Sequence, residues 1–284
     1  MTRKPADVLE TIKRWAKDED VVRTVILTGS RAQPHAVLDA LSDYDLVVYA
    51  TDLSAFSKGD EWLSAFGEVM VRWPRMPRST LREDWITRLV LFSDGVRIDF
   101  QIGPVSPLVL GDLDAGYEVL VDKDGATASL QAPTHSAYHV ARPSYEAYAS
   151  LVNDFWWDAT YVAKYLRRDE LPFAAHMLGQ MLRDRFLRMI LEWDLGCKSG
   201  WTSNAGVHGR YLKRLLEPAQ YEEYLSTYAG AEIEENWAAF FNLLKLFRKL
   251  AMQVGQELGY DYPSKLDADV STFCMQIRES GTLS

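Results

Sequence analysis

Cysteine is nearly absent from this chain. Cys197 and Cys274 are the only two in 284 residues, too few for a disulfide framework and not arranged as a CxxC or Cys/His cluster that would hold zinc. Two reduced, partly buried thiols are the expectation. Histidine is scarce as well, with five copies, and His135, His139, His176 and His208 show no metal-ligand spacing. A basic surplus is missing: 31 Lys and Arg stand against 40 Asp and Glu, for a formal net charge of −9. Binding to nucleic acid needs a basic footprint, so that class of partner is disfavoured; a cationic ligand is favoured instead. No uncharged stretch approaches the roughly 18 apolar residues of a membrane span. The N-terminal stretch carries Asp7, Glu10, Lys13, Arg14 and Lys17, which is amphipathic and lacks the apolar centre of a signal peptide. The expectation is a cytoplasmic protein with neither membrane nor nucleic acid as partner. Wholesale disorder is excluded, because 9 Trp, 14 Tyr and 11 Phe would collapse any chain that carried them.

The patterning changes near the middle. Val8, Leu9, Ile12 and Trp15 recur at helical spacing over residues 6–18. Residues 21–29 read as a β-branched strand ending at Gly29, and residues 42–50 as a second strand. Residues 52–66 read as a helix with Trp62, Leu63 and Phe66 inward. Residues 68–73 read as a strand that Pro74 and Pro77 end. Two further strands follow, joined at Ser93-Asp94-Gly95, a strong hairpin signal. Residues 104–143 hold Pro104, Pro107, Pro133 and Pro143 and read as a connector. From Ser144 the period becomes helical, over about 144–168, 172–196 and 236–259, with Gly196 and Gly259 where C-caps belong. The prediction is an α+β chain: an α/β N-terminal domain over 1–135 followed by an all-helical domain over 136–284.

Three carboxylates carry the chemical argument. Asp43 and Asp45 in Asp43-Tyr44-Asp45 are two residues apart on a strand and share a face. Neighbouring carboxylates repel unless a cation lies between them, and Mg²⁺ is the natural one, being hard and oxygen-seeking. Asp99 interrupts an apolar strand, an expensive place for a purely structural acid. Gly29-Ser30 offers close backbone approach and a hydroxyl to a phosphate. Taken alone, an Asp-x-Asp pair is most often two solvated acids at a strand end. The combination is more specific: strand, Gly-Ser, about a dozen residues, Asp-x-Asp opening a strand, then an Asp on a later apolar strand. These are the parts that nucleotidyl transfer requires. Arg31 either neutralises a phosphate or pairs with Asp43 or Asp39, with the first role favoured.

The segments LTGSRA, SDYDLV, DEWLSAFGE, LVLFSDGVRIDF, LVDKDG, FWWDATYVAKYLRRDE, LRMILEWDLGCKSG, LSTYAG and LFRKLAMQVGQELGYDYP resemble, over nearly the whole chain, the aminoglycoside 6-adenylyltransferases of the nucleotidyltransferase superfamily. The resemblance implies a mixed five-stranded sheet with flanking helices followed by a helical bundle. It also implies transfer of AMP from ATP to a hydroxyl of streptomycin, the 6-position, with Mg²⁺ (one or two ions) and release of pyrophosphate. The family's metal-binding acids map onto Asp43 and Asp45, and its third acid, the general base, onto Asp99. Two other readings stay open: the same chemistry on a different small-molecule or protein hydroxyl, and a non-catalytic nucleotide-binding module.

In the helical half, Trp157, Tyr161, Lys164 and Arg168 fall on one helix face, adjoined by Asp154 and Asp158. Aromatics and carboxylates together suit a guanidinium-bearing sugar. Trp157, Asp158 and Tyr161 are therefore candidates for the antibiotic, and Lys164 for ATP phosphates. Trp156 reads as core packing. Glu83 and Asp84 either touch the antibiotic's cationic groups or form an exposed acidic loop, the plainer reading.

Overall fold

The computed structural model describes residues 3–34, 36–78, 84–105 and 113–280. They fall into two units, Met1–Ala137 and Tyr138–Ser284.

The first unit opens with α1 (Pro5–Asp18), which starts on a proline and buries Val8, Ile12, Trp15 and Ala16. Six strands follow: β1 (Val22–Thr28), β2 (Tyr44–Ala50), β3 (Val69–Arg78), β4 (Ile86–Phe92), β5 (Arg97–Pro104) and β6 (Glu118–Asp122). They form one sheet in the order β3-β4-β5-β2-β1-β6. Only β2 and β5 pair in parallel; the other neighbours are antiparallel. Alternation along the two central strands sorts their side chains. Tyr44, Leu46 and Val48 of β2 and Ile98, Phe100 and Ile102 of β5 join the core with α1, so Asp45 and Asp99, one residue out of step, belong to the opposite face. Aromatic edges knit that core: Trp62 meets Phe100 at 4.9 Å and Trp15 meets Phe66 at 5.0 Å between ring centroids.

Three features of this unit depart from the sequence reading. The sheet has six strands, not five; β6 lies in the segment read as a connector, where it is five residues long and buries Leu120 and Val121 beside β1. Strand β3 runs on past Pro74. It is an edge strand, where a missing N–H is tolerated, its register slips between Trp73 and Arg78, and Arg88 of β4 donates to the Pro74 carbonyl at 2.7 Å. The helix expected over 52–66 is instead α2 (Ser54–Ser57) and a separate 3₁₀ turn, Glu61–Ala65. Asp60 between them is drawn to the sheet, accepting from Arg88 Nε at 2.8 Å and pairing with Arg72 at 2.6 Å.

The second unit is helical. Ser144 caps α3 (Tyr145–Arg167) by accepting from the Ala147 N–H. A continuous rod follows, from α4 (Leu171–His176) through π-helical turns at Met177–Leu187 into α5 (Arg188–Ser199). After α6 (Leu212–Leu215) and α7 (Pro218–Leu225) come α8 (Ile233–Leu258) and α9 (Ser264–Glu279). Phe155 of α3 stacks on Phe247 of α8 at the centre. Gly259 caps α8 in the left-handed conformation, as expected, but Gly196 does not end α5. The helix continues to Ser199 and Gly200 is the cap; Gly196 makes room for Trp201, whose ring carbons would lie 2.5 Å from an added Cβ. Cys197 and Cys274 are free thiols, the second fully buried. No helix among the described residues is long and apolar enough to cross a membrane.

Helix α9 had no counterpart in the predicted elements, because it is anchored by a polar residue. Asp267 is buried and accepts from Arg248 Nε and Nη2, Tyr262 Oη and Ser271 Oγ. Burial pushes its carboxyl up, but these bonds outweigh burial and hold it below the ordinary value. A carboxyl depressed in the fold stabilises fully above the unfolded value of about 4, and loses that contribution as pH falls through the folded value. Asp267→Asn is therefore expected to unfold at lower urea than wild type at pH 7, by about 2 kcal/mol for the weakened hydrogen bonds to a charged group. The gap between the two proteins should narrow at pH 3. A gap that widened on acidification would contradict this assignment.

Candidate active site

Asp45 and Asp99 are register partners across the parallel pair β2–β5. Asp43 lies two residues before Asp45, just ahead of β2. Ladder hydrogen bonding thus brings the three acids from two sequence regions to one end of the sheet. Gly29 sits against them. It has φ +66°, in the left-handed region, and an added Cβ would lie 1.9 Å from Asp45 Oδ2. Both facts select glycine: the backbone conformation and the absence of space. Gly29 and Ser30 open a 3₁₀ turn, Gly29–Ala32, directly after β1, and Thr28 is the register partner of Asp45 on the other side.

Arg31 belongs to the same turn. Its Nε donates to the Asp43 carbonyl at 3.1 Å and its Nη2 to the Ser42 carbonyl at 2.7 Å. The guanidinium lies 3.8 Å from the Tyr44 ring centroid. These bonds go to main-chain oxygens, so Arg31 clips the Gly-Ser turn to the chain entering β2, a task neither sequence reading anticipated. Burial raises the Tyr44 hydroxyl above its ordinary pKa, against the opposing charge of Arg31.

Arg97 was not among the predicted site residues, although it lies in the RIDF segment. It is two residues before Asp99 on β5 and so shares its face; that spacing was the available signal. Its Nε and Nη2 donate to Asp99 Oδ1 and Oδ2 at 2.9 and 2.7 Å. Its Nη1 stands 3.5 Å from Asp43 Oδ2. Hydrogen bonding to Asp99, with the charges of Asp99, Asp43 and Asp45, holds the guanidinium above its already high pKa, burial opposing. The Asp99 side chain is only 13% exposed, against 35% for Asp43.

In donor chemistry, three carboxylates on adjoining strands fit a hard divalent ion such as Mg²⁺. As they stand, no three His, Cys, Asp or Glu side chains among the described residues are gathered closely enough to hold one. The group between Asp99 and Asp43 is the Arg97 guanidinium.

The candidates in the helical unit lie along α3. Trp157, Tyr161 and Tyr165 form an i, i+4 ladder, with ring centroids 6.2 and 6.5 Å apart. Trp157 is 64% exposed. The Lys164 ammonium lies 4.8 Å from the Tyr161 ring centroid. Burial pushes the Asp158 carboxyl up, with Arg185 opposing and Asp154 adding to the shift. Trp156 is fully buried and donates to the Tyr262 hydroxyl at 3.2 Å, so it is core, as expected. Asp84 is an exposed turn residue; Glu83 lies outside the described residues.

The family model described as "Streptomycin adenylyltransferase" matches residues 2–277. The aminoglycoside 6-adenylyltransferase of Bacillus subtilis is 30% identical over 266 residues, 92% of this chain and 93% of that one. Its counterpart from Campylobacter jejuni is 31% identical over 267 residues, 92% of this chain and 91% of that one. The crystal structure of an aminoglycoside 6-adenyltransferase from Bacillus subtilis covers 98% of this chain and 100% of its own, at 24% identity and a TM-score of 0.48. The family match and these relatives define an enzyme of the nucleotidyltransferase class. The chain belongs to the streptomycin adenylyltransferase family.

The Gly29 geometry yields a direct test. Gly29→Ala forces a Cβ onto Asp45 and is expected to lower turnover by about 100-fold, the effect of an ångström-scale misplacement. Its far-ultraviolet circular dichroism should stay that of wild type. Unchanged turnover in a folded variant would remove Asp45 from the site.

Proposed function

We propose that the protein transfers AMP from ATP to a hydroxyl of streptomycin, the 6-position, with Mg²⁺ as cofactor. Pyrophosphate is released and the antibiotic is inactivated. The observation that carries this reading is the register of Asp45 with Asp99 across β2–β5, with Gly29 packed on Asp45. Family membership and the names of the relatives support the acceptor class.

In this reading Gly29 and Ser30 cradle the phosphates, with Arg31 fixing the turn that carries them. Asp43, Asp45 and Asp99 are the metal ligands. Mg²⁺, when bound, polarises the phosphate oxygens and offsets charge on the leaving group. Asp99 accepts the proton of the acceptor hydroxyl as its oxygen bonds to the α-phosphorus and the bond to pyrophosphate breaks. Lys164 is assigned to ATP phosphates as a point charge. Trp157, Asp158 and Tyr161 are assigned to the antibiotic: an exposed ring for stacking against a guanidinium and a carboxylate to pair with it. Glu83 and Asp84 are assigned to the same ligand by charge alone.

The test is pyrophosphate release from Mg-ATP over a panel of aminoglycosides, beside an Asp43→Asn/Asp45→Asn control. Release with streptomycin, absent from the control, is expected. Release only with other acceptors would move the substrate assignment. Binding of ATP without release for any acceptor would favour a nucleotide-binding module.

A further inference from the structure

Asp99 is largely withdrawn from water, its side chain 13% exposed, and a carboxylate so placed is stabilised by a cation beside it. In the structure a cation is at hand in Arg97, which holds both Asp99 oxygens in a two-point fork and stands 3.5 Å from Asp43. A divalent ion on the same acids would answer the same need, and a guanidinium among them would then repel it. The two cations therefore compete. Their exchange is cheap on the arginine side: the Arg97 side chain is 43% exposed, so it returns to water with little desolvation to undo.

We propose that Arg97 is an exchangeable counter-ion. It neutralises the acids and keeps Asp99 oriented while no metal is bound, and it leaves when the divalent ion arrives. It is a positioning residue, and it sets the threshold of metal concentration at which the site assembles. This rests on the metal reading of Asp43, Asp45 and Asp99 given above.

The rival arrangement is a fixed strut, in which Arg97 holds Asp99 in the same pose with or without metal. The two differ in sign. Removing a competitor tightens metal binding; removing a strut weakens it or leaves it unchanged. Mn²⁺ titrated into the full chain, with free Mn²⁺ read by electron paramagnetic resonance, distinguishes them without reference to turnover. Arg97→Gln is expected to lower the Mn²⁺ Kd by about fivefold, the scale of a part-exposed ion pair. Arg97→Lys, which keeps the charge and loses the fork, should fall between wild type and the Gln variant. Thermal melts confirm that each variant is folded, and the Lys variant carries the test if the Gln variant is not. Measurable binding by wild type with no gain in either folded variant overturns the proposal and leaves the metal reading standing. No Mn²⁺ binding by wild type or either variant, with ATP present or absent, overturns both. Binding by a variant where wild type shows none is the strongest form of the expected result.

Discussion

Asp45 and Asp99 face each other across two parallel strands, and strand spacing of about 4.8 Å leaves their backbones no freedom to separate. That fixed repulsion organises what surrounds it. Gly29 has no side chain because Asp45 already occupies the space. Arg97 sits where its fork meets both oxygens of Asp99 and its third nitrogen approaches Asp43. Antiparallel pairs flank the parallel one on both sides, β3–β4 beyond β5 and β1–β6 beyond β2. The acids are therefore mounted at the middle of a sheet rather than on an edge that could fray.

Placing such acids on one face requires the other to be strongly apolar, and the alternation of β2 and β5 provides this. Tyr44, Leu46 and Val48 alternate with Asp43, Asp45 and Val47, so a one-residue slip would bury the carboxylates beneath α1 and expose the core set. The aromatic cluster of Trp15, Trp62, Phe66 and Phe100 makes that slip prohibitive. Register and chemistry are thus specified by the same residues. The helical unit solves a comparable problem in another way. Its last helix is bound through the buried Asp267 network as much as through apolar contact, which ties α9 to α8 through Arg248 and to the preceding turn through Tyr262.

What the sequence disclosed follows from the range of each interaction. The Gly-Ser turn, Asp-x-Asp and the hairpin at Ser93-Asp94-Gly95 are local signals, read within a few residues. The parallel pairing of Asp45 with Asp99 spans more than fifty residues; an acid on an apolar strand marked Asp99 as a companion of the Asp-x-Asp pair, but nothing local specified the register that sets it beside Asp45. Strand β6 and helix α9 were missed because neither announces itself locally: β6 is five residues long, and α9 turns an aspartate inward where a periodicity argument looks for an apolar residue. Pro74 misled for the converse reason. A proline ends a strand by local rules, but an edge position and the reach of Arg88 from the next strand override them.

The two arginines of the site show why geometry adds to composition. Both lie beside Asp43; the sequence offers Arg31 as a phosphate ligand or an ion-pair partner and gives no role to Arg97. Arg31 donates to carbonyl oxygens at the entry to β2. Those acceptors are neutral and draw a divalent ion less strongly than a carboxylate does, so its hold on the turn is less open to displacement. Arg97 donates to carboxylates, the charged acceptors to which a hard divalent ion is most strongly drawn. One arginine thus belongs to the scaffold and the other to the equilibrium of the site. The distinction lies in the acceptor each nitrogen finds, which residue type and spacing do not specify.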